Sequence, residues 1–274
     1  MNLNKVDSLD IPGLEIYSKL NEAQLLHHNE PDLGIFIAES PIVIERALNC
    51  GYSPISALLD EKEIDSIPDG LKNIEDDSFV IYAARTDILK NITGYELTRG
   101  MLCAMRRKPD RGLDEILINA RRIAVLEDIV NPTNVGAIFR SAAALNIDAI
   151  LLTRGCADPL YRRAIRVSMG NVFCISWTYI GKDIEDWYSS GVDILKQYGF
   201  CTAAMALSDN SVSISDQRLL NEDKIAIILG NEGQGLSDST IVSCDYTVKI
   251  PMAKGVDSLN VAAASAVAFY QLTL

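Results

Sequence analysis

The sequence predicts an α/β fold: a mostly parallel sheet with helices on both faces, preceded by a small α/β unit. Three observations predict it. Residues 122–274 alternate short apolar runs with amphipathic stretches, the pattern of strands joined by crossover helices. Residues 33–84 show the same alternation on a smaller scale. A glycine-rich loop, GNEGQG (230–235), follows one apolar run directly, at a carboxyl end, where ligands gather in such sheets.

In the front part, LGIFIAE (33–39) reads as a buried strand and SPIVIERALNCG (40–51) as the helix after it. Ser40 is the expected N-cap, Pro41 sits in the first turn, and Gly51 follows the last periodic residue. SALLD (56–60) and SFVIYAA (78–84) are further strands. KNITGYELTRGMLCAMRRKPDRG (90–112) mixes Gly, Pro and charge and reads as the connection. The expected domains are therefore 1–112 and 113–274.

The second part reads in order as strand RIAVLEDI (122–129), helix NVGAIFRSAAALN (134–146), strand AILLT (149–153) and helix LYRRAIRVSMG (160–170). Strand VFCISWTYI (172–180), helix IEDWYSSGVDILKQYG (184–199) and strand CTAAMAL (201–207) follow. KIAIILG (224–230) and YTVKIPM (246–252) are strands, and SLNVAAASAVAFYQLTL (258–274) is a closing helix.

Composition narrows the class. The 274 residues are 48% hydrophobic and 23% charged, ordinary for a soluble globular chain. No apolar run approaches the roughly 20 residues of a membrane helix. MNLNKVDSLDIPGLEIY lacks a basic start followed by an apolar core, so no secretory leader is expected. Six scattered cysteines without a CxxC pair, and only the adjacent His27 and His28, speak against a metal site and for a cytoplasmic protein with reduced thiols.

The net charge of −12 is uneven: residues 1–98 carry −11 and residues 99–274 only −1. An acidic chain argues weakly against nucleic acid, but the basic residues cluster. One cluster holds Arg99, Arg106, Arg107, Lys108, Arg111, Arg121 and Arg122, and the other holds Arg162, Arg163 and Arg166. Solvated surface charge is the plain reading of any one of them; two clusters near one site are enough to attract an anionic polymer.

The loop glycines are spaced GxxGxG. A dinucleotide fingerprint needs GxGxxG opening a helix, and no GK[ST] occurs for a P-loop. A tight turn with positive φ and a ligand cradle both remain. Two other stretches bear on the choice. In DIVNPTNVGAIFRSAAALN (128–146), Asn134 is a natural N-cap, Val135, Ile138, Phe139, Ala142 and Leu145 share an apolar face, and Gly136 and Arg140 lie one turn apart on another. In IPMAKGVDSLNVAAASAVAFYQL (250–272), Asp257 or Ser258 can cap a helix with a stripe of Leu259, Ala262, Ala263, Ala266, Phe269 and Tyr270. That stripe reads as core or as a close-packed dimer contact.

Together the three stretches resemble the signature motifs of the SpoU-type (TrmH-like) RNA ribose 2′-O-methyltransferases of the SPOUT superfamily. NxGxxxR is similar to Asn134, Gly136 and Arg140; LGNEGxGL to Leu229–Leu236; IPM and SLN to Ile250–Met252 and Ser258–Asn260. DPLYRRAIRVSMGNVF (158–173) resembles the segment between the first two motifs, and GIFIAESPIVIERALNCGY more loosely resembles the family's α/β/α substrate-binding domain. The family often carries Glu-Gly where this chain has Glu39-Ser40.

The resemblance implies a C-terminal trefoil knot, an exception to ordinary chain topology. It also implies an enzyme that moves a methyl group from S-adenosyl-L-methionine to a ribose 2′-hydroxyl of structured RNA, tRNA or rRNA, as a homodimer. It implies cofactor contacts at Leu229, Gly230, Ile250, Met252 and Leu259. Arg140 then acts on the ribose hydroxyl, with Asn134, Glu232, Ser258 and Asn260 orienting it; Glu232 is a candidate ion-pair partner of Arg140. Arg106, Arg107, Arg111, Arg162, Arg163 and Arg166 are the expected RNA contacts. The competing reading is a non-catalytic RNA-binding or assembly factor that retains the fold.

Overall fold

A computed structural model describes residues 2–8, 10–93, 100–208, 210–256 and 258–273. Arg99 and Asp257 lie outside these residues. In chain order the elements are β1 (Leu3–Val6), α1 (Glu15–Ser18), α2 (Glu22–Leu26), β2 (Ile35–Glu39), α3 (Pro41–Asn49), β3 (Pro54–Asp60), α4 (Asp69–Lys72), β4 (Val80–Ala84), α5 (Thr86–Thr93) and β5 (Met101–Arg106). Then come α6 (Leu113–Leu117), β6 (Arg122–Leu126), α7 (Pro132–Ala144), β7 (Ala149–Leu152), α8 (Arg162–Val167), β8 (Ser176–Tyr179), α9 (Ile184–Asp186) and α10 (Val192–Gln197). The chain closes with β9 (Cys201–Met205), β10 (Val212–Ser213), α11 (Gln217–Leu220), β11 (Ile225–Leu229), α12 (Asp238–Ser243), β12 (Tyr246–Lys249) and α13 (Val261–Thr273).

The chain divides into two units, one of residues 1–109 with 160–173 and one of residues 110–159 with 174–274. The first unit holds a five-stranded sheet in the order β1-β4-β3-β5-β2. β1, β4 and β3 run parallel, and β5 is antiparallel to both its neighbours. One expectation changes here, and one strand stands where none was read from the sequence. The stretch expected to be a connection supplies β5, an interior strand whose Met101–Met105 are all buried. The N-terminal residues form an edge strand, with Leu3 opposite Ile81. The core of this unit gathers Leu14, Ile35, Ile37, Leu58, Leu102 and Ala104.

Residues 160–173, read from sequence as part of the second domain, belong to the first unit. Arg162 donates to the Glu39 carboxylate from Nε and from Nη2, both at 3.0 Å, and its main-chain N–H donates to Glu22 at 2.8 Å. Arg46 donates to the Met169 carbonyl at 2.7 Å and to Asn171 Oδ1 at 2.8 Å. Phe173 packs with Phe36 and Tyr52, ring centroids 5.5 and 5.0 Å away.

Ser40 stands at the N-cap position of α3, but its side chain caps nothing. Its φ of 86° and ψ of 145° lie where side chains are strained, and its buried hydroxyl has no hydrogen-bond partner among the described residues. Strain of this kind costs about 1–3 kcal/mol, and a buried orphan hydroxyl a similar amount. Ser40→Gly removes both. A gain of about 1–2 kcal/mol is expected in chemical denaturation, after glycine's own entropy cost of about 0.5–1 kcal/mol.

The second unit holds a seven-stranded, fully parallel sheet in the order β10-β12-β9-β11-β6-β7-β8. Its central strands are uninterrupted apolar runs because both faces are covered. Ile225–Leu229 of β11 are all buried, with Leu229 opposite Leu126 of β6. One core cluster of this unit includes Ile123, Val125, Leu151, Trp187, Leu195 and Ile228. The long helix expected at 184–199 is interrupted: a π-helical turn, Trp187–Gly191, separates α9 from α10. Because β11, β9 and β12 are parallel neighbours, their carboxyl-end loops lie side by side.

Candidate active site

The glycine loop leaves β11 at Gly230. A Cβ built there would lie 2.4 Å from the Gly235 carbonyl carbon and 2.5 Å from the Leu236 nitrogen, so glycine is required for the loop to fold back on itself. Gly235 has φ +73°, a second position where a side chain would be strained. Asn231 organises the turn. It accepts from Gly233 N–H at 2.7 Å through Oδ1 and from Gly235 N–H at 2.9 Å through its carbonyl, and its Nδ2 donates to the Asp128 carbonyl at 3.0 Å. The loop is thus a tight turn tied to the end of the neighbouring strand.

The first motif lies on α7, but its cap is one turn earlier than expected. Asn131 caps α7, accepting from Thr133 N–H at 2.9 Å, with Pro132 at the first helical position. Asn134 is therefore inside the helix, buried, and free to use its side chain elsewhere. Its Oδ1 accepts from Asn260 Nδ2 at 3.3 Å, and the same amide donates to the Glu232 carboxylate. Residues from all three motifs are joined in this way.

Asn260 also begins α13. Its Oδ1 accepts from Ala262 N–H at 3.0 Å, the bond expected of Ser258 or Asp257. Ser258 lies exposed before it. Arg140 is exposed on α7, and no hydrogen bond or ion pair among the described residues engages it. Glu232 pairs with Asn260 rather than with Arg140.

Of the expected cofactor contacts, Leu229 is buried, Gly230, Ile250 and Met252 are half-buried, and Leu259 is exposed. Leu207, on the loop after β9, and Val256 are exposed as well. The loops after β9 and β12 thus leave apolar side chains exposed, next to a glycine loop that offers main-chain polar groups. That combination suits a flat apolar ring with hydrogen-bonding edges, such as adenine. The stripe expected on the last helix is only partly core: Phe269 is buried, Ala262 and Ala266 are half-buried, and Leu259, Ala263 and Tyr270 are exposed, while the rest of the buried face is Val261, Ser265, Ala268 and Leu272.

The basic residues divide. In the first unit Arg162 is committed to Glu39, Arg107 Nε donates to the Ile35 carbonyl at 3.3 Å, Arg106 and Arg163 are exposed, and Arg166 is half-buried. In the second unit Arg111 bonds Glu115 at 2.6 Å and Ser176 at 2.7 Å. Among the described residues no group of three or more His, Cys, Asp or Glu is arranged to hold a metal, and no helix is long and apolar enough to cross a membrane.

Sequence reasoning overlooks the acidic pair after β6. Asp128, at φ 54°, accepts from Tyr188 Oη at 2.8 Å and from Thr153 Oγ1 at 3.0 Å. Burial, with the bond to Asp128 adding to it, pushes the Tyr188 phenol up, so it stays a donor. Glu127 is buried beside it. The available signal is position: both acids follow an apolar strand at the end of the sheet where ligands bind.

Residues 121–270 match the model of the SpoU rRNA Methylase family. An uncharacterised tRNA/rRNA methyltransferase of Mycobacterium bovis is 34% identical over 278 residues, covering 100% of this chain and 92% of the relative. The crystal structure of an AdoMet-bound rRNA methyltransferase from Sinorhizobium meliloti superposes with a TM-score of 0.81 at 21% identity, covering 98% of this chain and 97% of that one. The structure of an RNA 2′-O ribose methyltransferase gives a TM-score of 0.75 at 24% identity, over 98% of both chains.

Proposed function

The chain belongs to the SpoU rRNA methylase family and is an RNA methyltransferase, and from that premise we propose that its target is a ribose 2′-hydroxyl of structured tRNA or rRNA. S-adenosyl-L-methionine is the expected cofactor, and the exposed apolar side chains on the loops after β9 and β12 suit it. When bound, it supplies a sulfonium methyl group. Leu229, Gly230, Ile250, Met252 and Leu259 would hold it.

The observation that carries the reading is the chain of bonds Asn134–Asn260–Glu232, which links residues 126 and 28 positions apart, on the helix that also bears an uncommitted guanidinium. A guanidinium already carries its proton and has no acceptor site, so Arg140 does not take the ribose proton. It binds the adjacent phosphate and stabilises charge developing on the 2′-oxygen, while the proton passes to water. Asn134, Asn260 and Glu232 fix the loops around the sugar, and Ser258 faces the same task.

A homodimer belongs to this proposal, supported by exposed Val267 and Tyr270 on α13. So does the trefoil knot: β12 lies outside β9, yet the chain returns to pack α13 against α7, the helix after β6. A cytoplasmic site of action completes it, consistent with six free cysteines. RNA contacts are assigned to exposed Arg106 and Arg163 first.

The test is transfer of labelled methyl from S-adenosylmethionine to total tRNA and rRNA from cells lacking the protein, followed by alkaline hydrolysis. The expected product is an alkali-resistant dinucleotide yielding a 2′-O-methylnucleoside. Label on a base removes the ribose assignment; RNA binding without turnover leaves a binding factor.

A further inference from the structure

Glu127 has no part in the chemistry above, yet it is only 2% exposed. A buried carboxylate persists only where donors replace water. Three do so here: Ser237 N–H to Oε1, and Trp187 Nε1–H and Thr240 Oγ1–H to Oε2, each at 2.6 Å. The main-chain N–H of Glu127 donates in turn to the Leu229 carbonyl at 2.9 Å. Leu229 is the last residue before the glycine loop and Ser237 the second after it. One residue therefore grips both feet of the loop.

Trp187 is built into place for its bond. It opens the π-helical turn, and a Cβ at Gly191 would lie 2.0 Å from its indole ring, so only glycine leaves room. π turns concentrate at functional sites.

We propose that Glu127 is a positioning residue for the methyl donor: by clamping Leu229 and Ser237 it sets the shape of the glycine loop, and cofactor affinity depends on that clamp. This rests on the reading of the loop as part of the cofactor site.

The test uses the polarity of the hydrogen bonds. In Glu127→Gln the amide Nε2 must face either the Ser237 N–H or the Trp187 N–H, donor against donor. Trp187→Phe removes the indole N–H, so in the double variant Oε1 can accept from Ser237 while Nε2 donates to the Thr240 hydroxyl. Calorimetric titration of the full chain with S-adenosylmethionine, alongside thermal midpoints, is expected to show binding weakened about tenfold or more in Glu127→Gln. The double variant should bind more tightly than Glu127→Gln while being less stable. A purely structural role would make affinity follow stability instead.

Ser237 offers an independent variant. Its φ of −63° suits proline, so Ser237→Pro deletes the clamped N–H and the capping hydroxyl, whereas Ser237→Ala deletes the hydroxyl alone. Weaker cofactor binding is expected only in the proline variant. Equal binding by Ser237→Pro and Ser237→Ala, binding by Glu127→Gln within about twofold of wild type, or no recovery in the double variant overturns the proposal. Absence of binding by the wild type removes the cofactor reading and this proposal with it.

Discussion

Arg140→Ala is expected to lower methyl transfer by about 10²–10³-fold, the usual cost of deleting one donor to a developing oxyanion. The guanidinium is exposed on α7 and, among the described residues, spends no hydrogen bond on the protein. Its loss therefore leaves no buried partner stranded, and the thermal midpoint should barely move. Affinity for S-adenosylmethionine should stay within about twofold, because the loops assigned to it are tied by other residues. Arg140→Lys should recover only part of the rate, since an ammonium keeps the charge but not the two-pronged geometry that grips phosphate. Near-normal turnover in Arg140→Ala would remove this role. Mixing Arg140→Ala with a Gly230→Val protein tests the proposed dimer: regained activity assigns the arginine to the opposite protomer's cofactor, and continued inactivity assigns it to its own.

The largest stability effect is expected from Arg162→Ala. The Glu39 side chain is 5% exposed and receives two bonds from Arg162 at 3.0 Å. Removing the arginine leaves a carboxylate out of water with its cation gone, at a cost of about 3–5 kcal/mol. Amide hydrogen exchange in β2 and β5 should accelerate accordingly, because Glu39 closes β2 opposite Leu102 of β5. Glu39→Gln combined with Arg162→Met should recover most of the loss, as neutral pairs of similar volume often do. Exchange unchanged by Arg162→Ala would mean that water still screens the pair.

The strands of the second unit are legible because a sheet covered on both faces demands apolar runs without alternation, as in RIAVL, AILL and IAIIL. β5 escapes that reading although MLCAM is just as apolar, because TRG and RRKPDR on either side give the window the look of a linker. The π turn escapes because one extra residue per turn scarcely disturbs a helical period. Asn134 is misread as a cap, and Ser40 stands at its cap position without capping, for one reason: cap preference is a matter of residue type, whereas a capping bond is a matter of φ, ψ and the next free N–H. Glu127 looks like a solvent-facing acid, since the groups that neutralise its burial stand 60, 110 and 113 positions further on. The site motifs are legible through resemblance, but the bond from Asn260 to Glu232 is not.

The interleaving of the chain has a consequence for how the protein is made. Residues 1–109 leave the ribosome without Phe173, Arg162 or the carbonyl of Met169, so a newly emerged front half still lacks these partners of Phe36, Glu39 and Arg46. At elongation rates of about 5–20 residues per second, the missing stretch follows after about 3–13 s. The first unit therefore completes its packing only once residue 173 has emerged, and a nascent chain stalled before residue 160 should be more open to protease than the same residues after release.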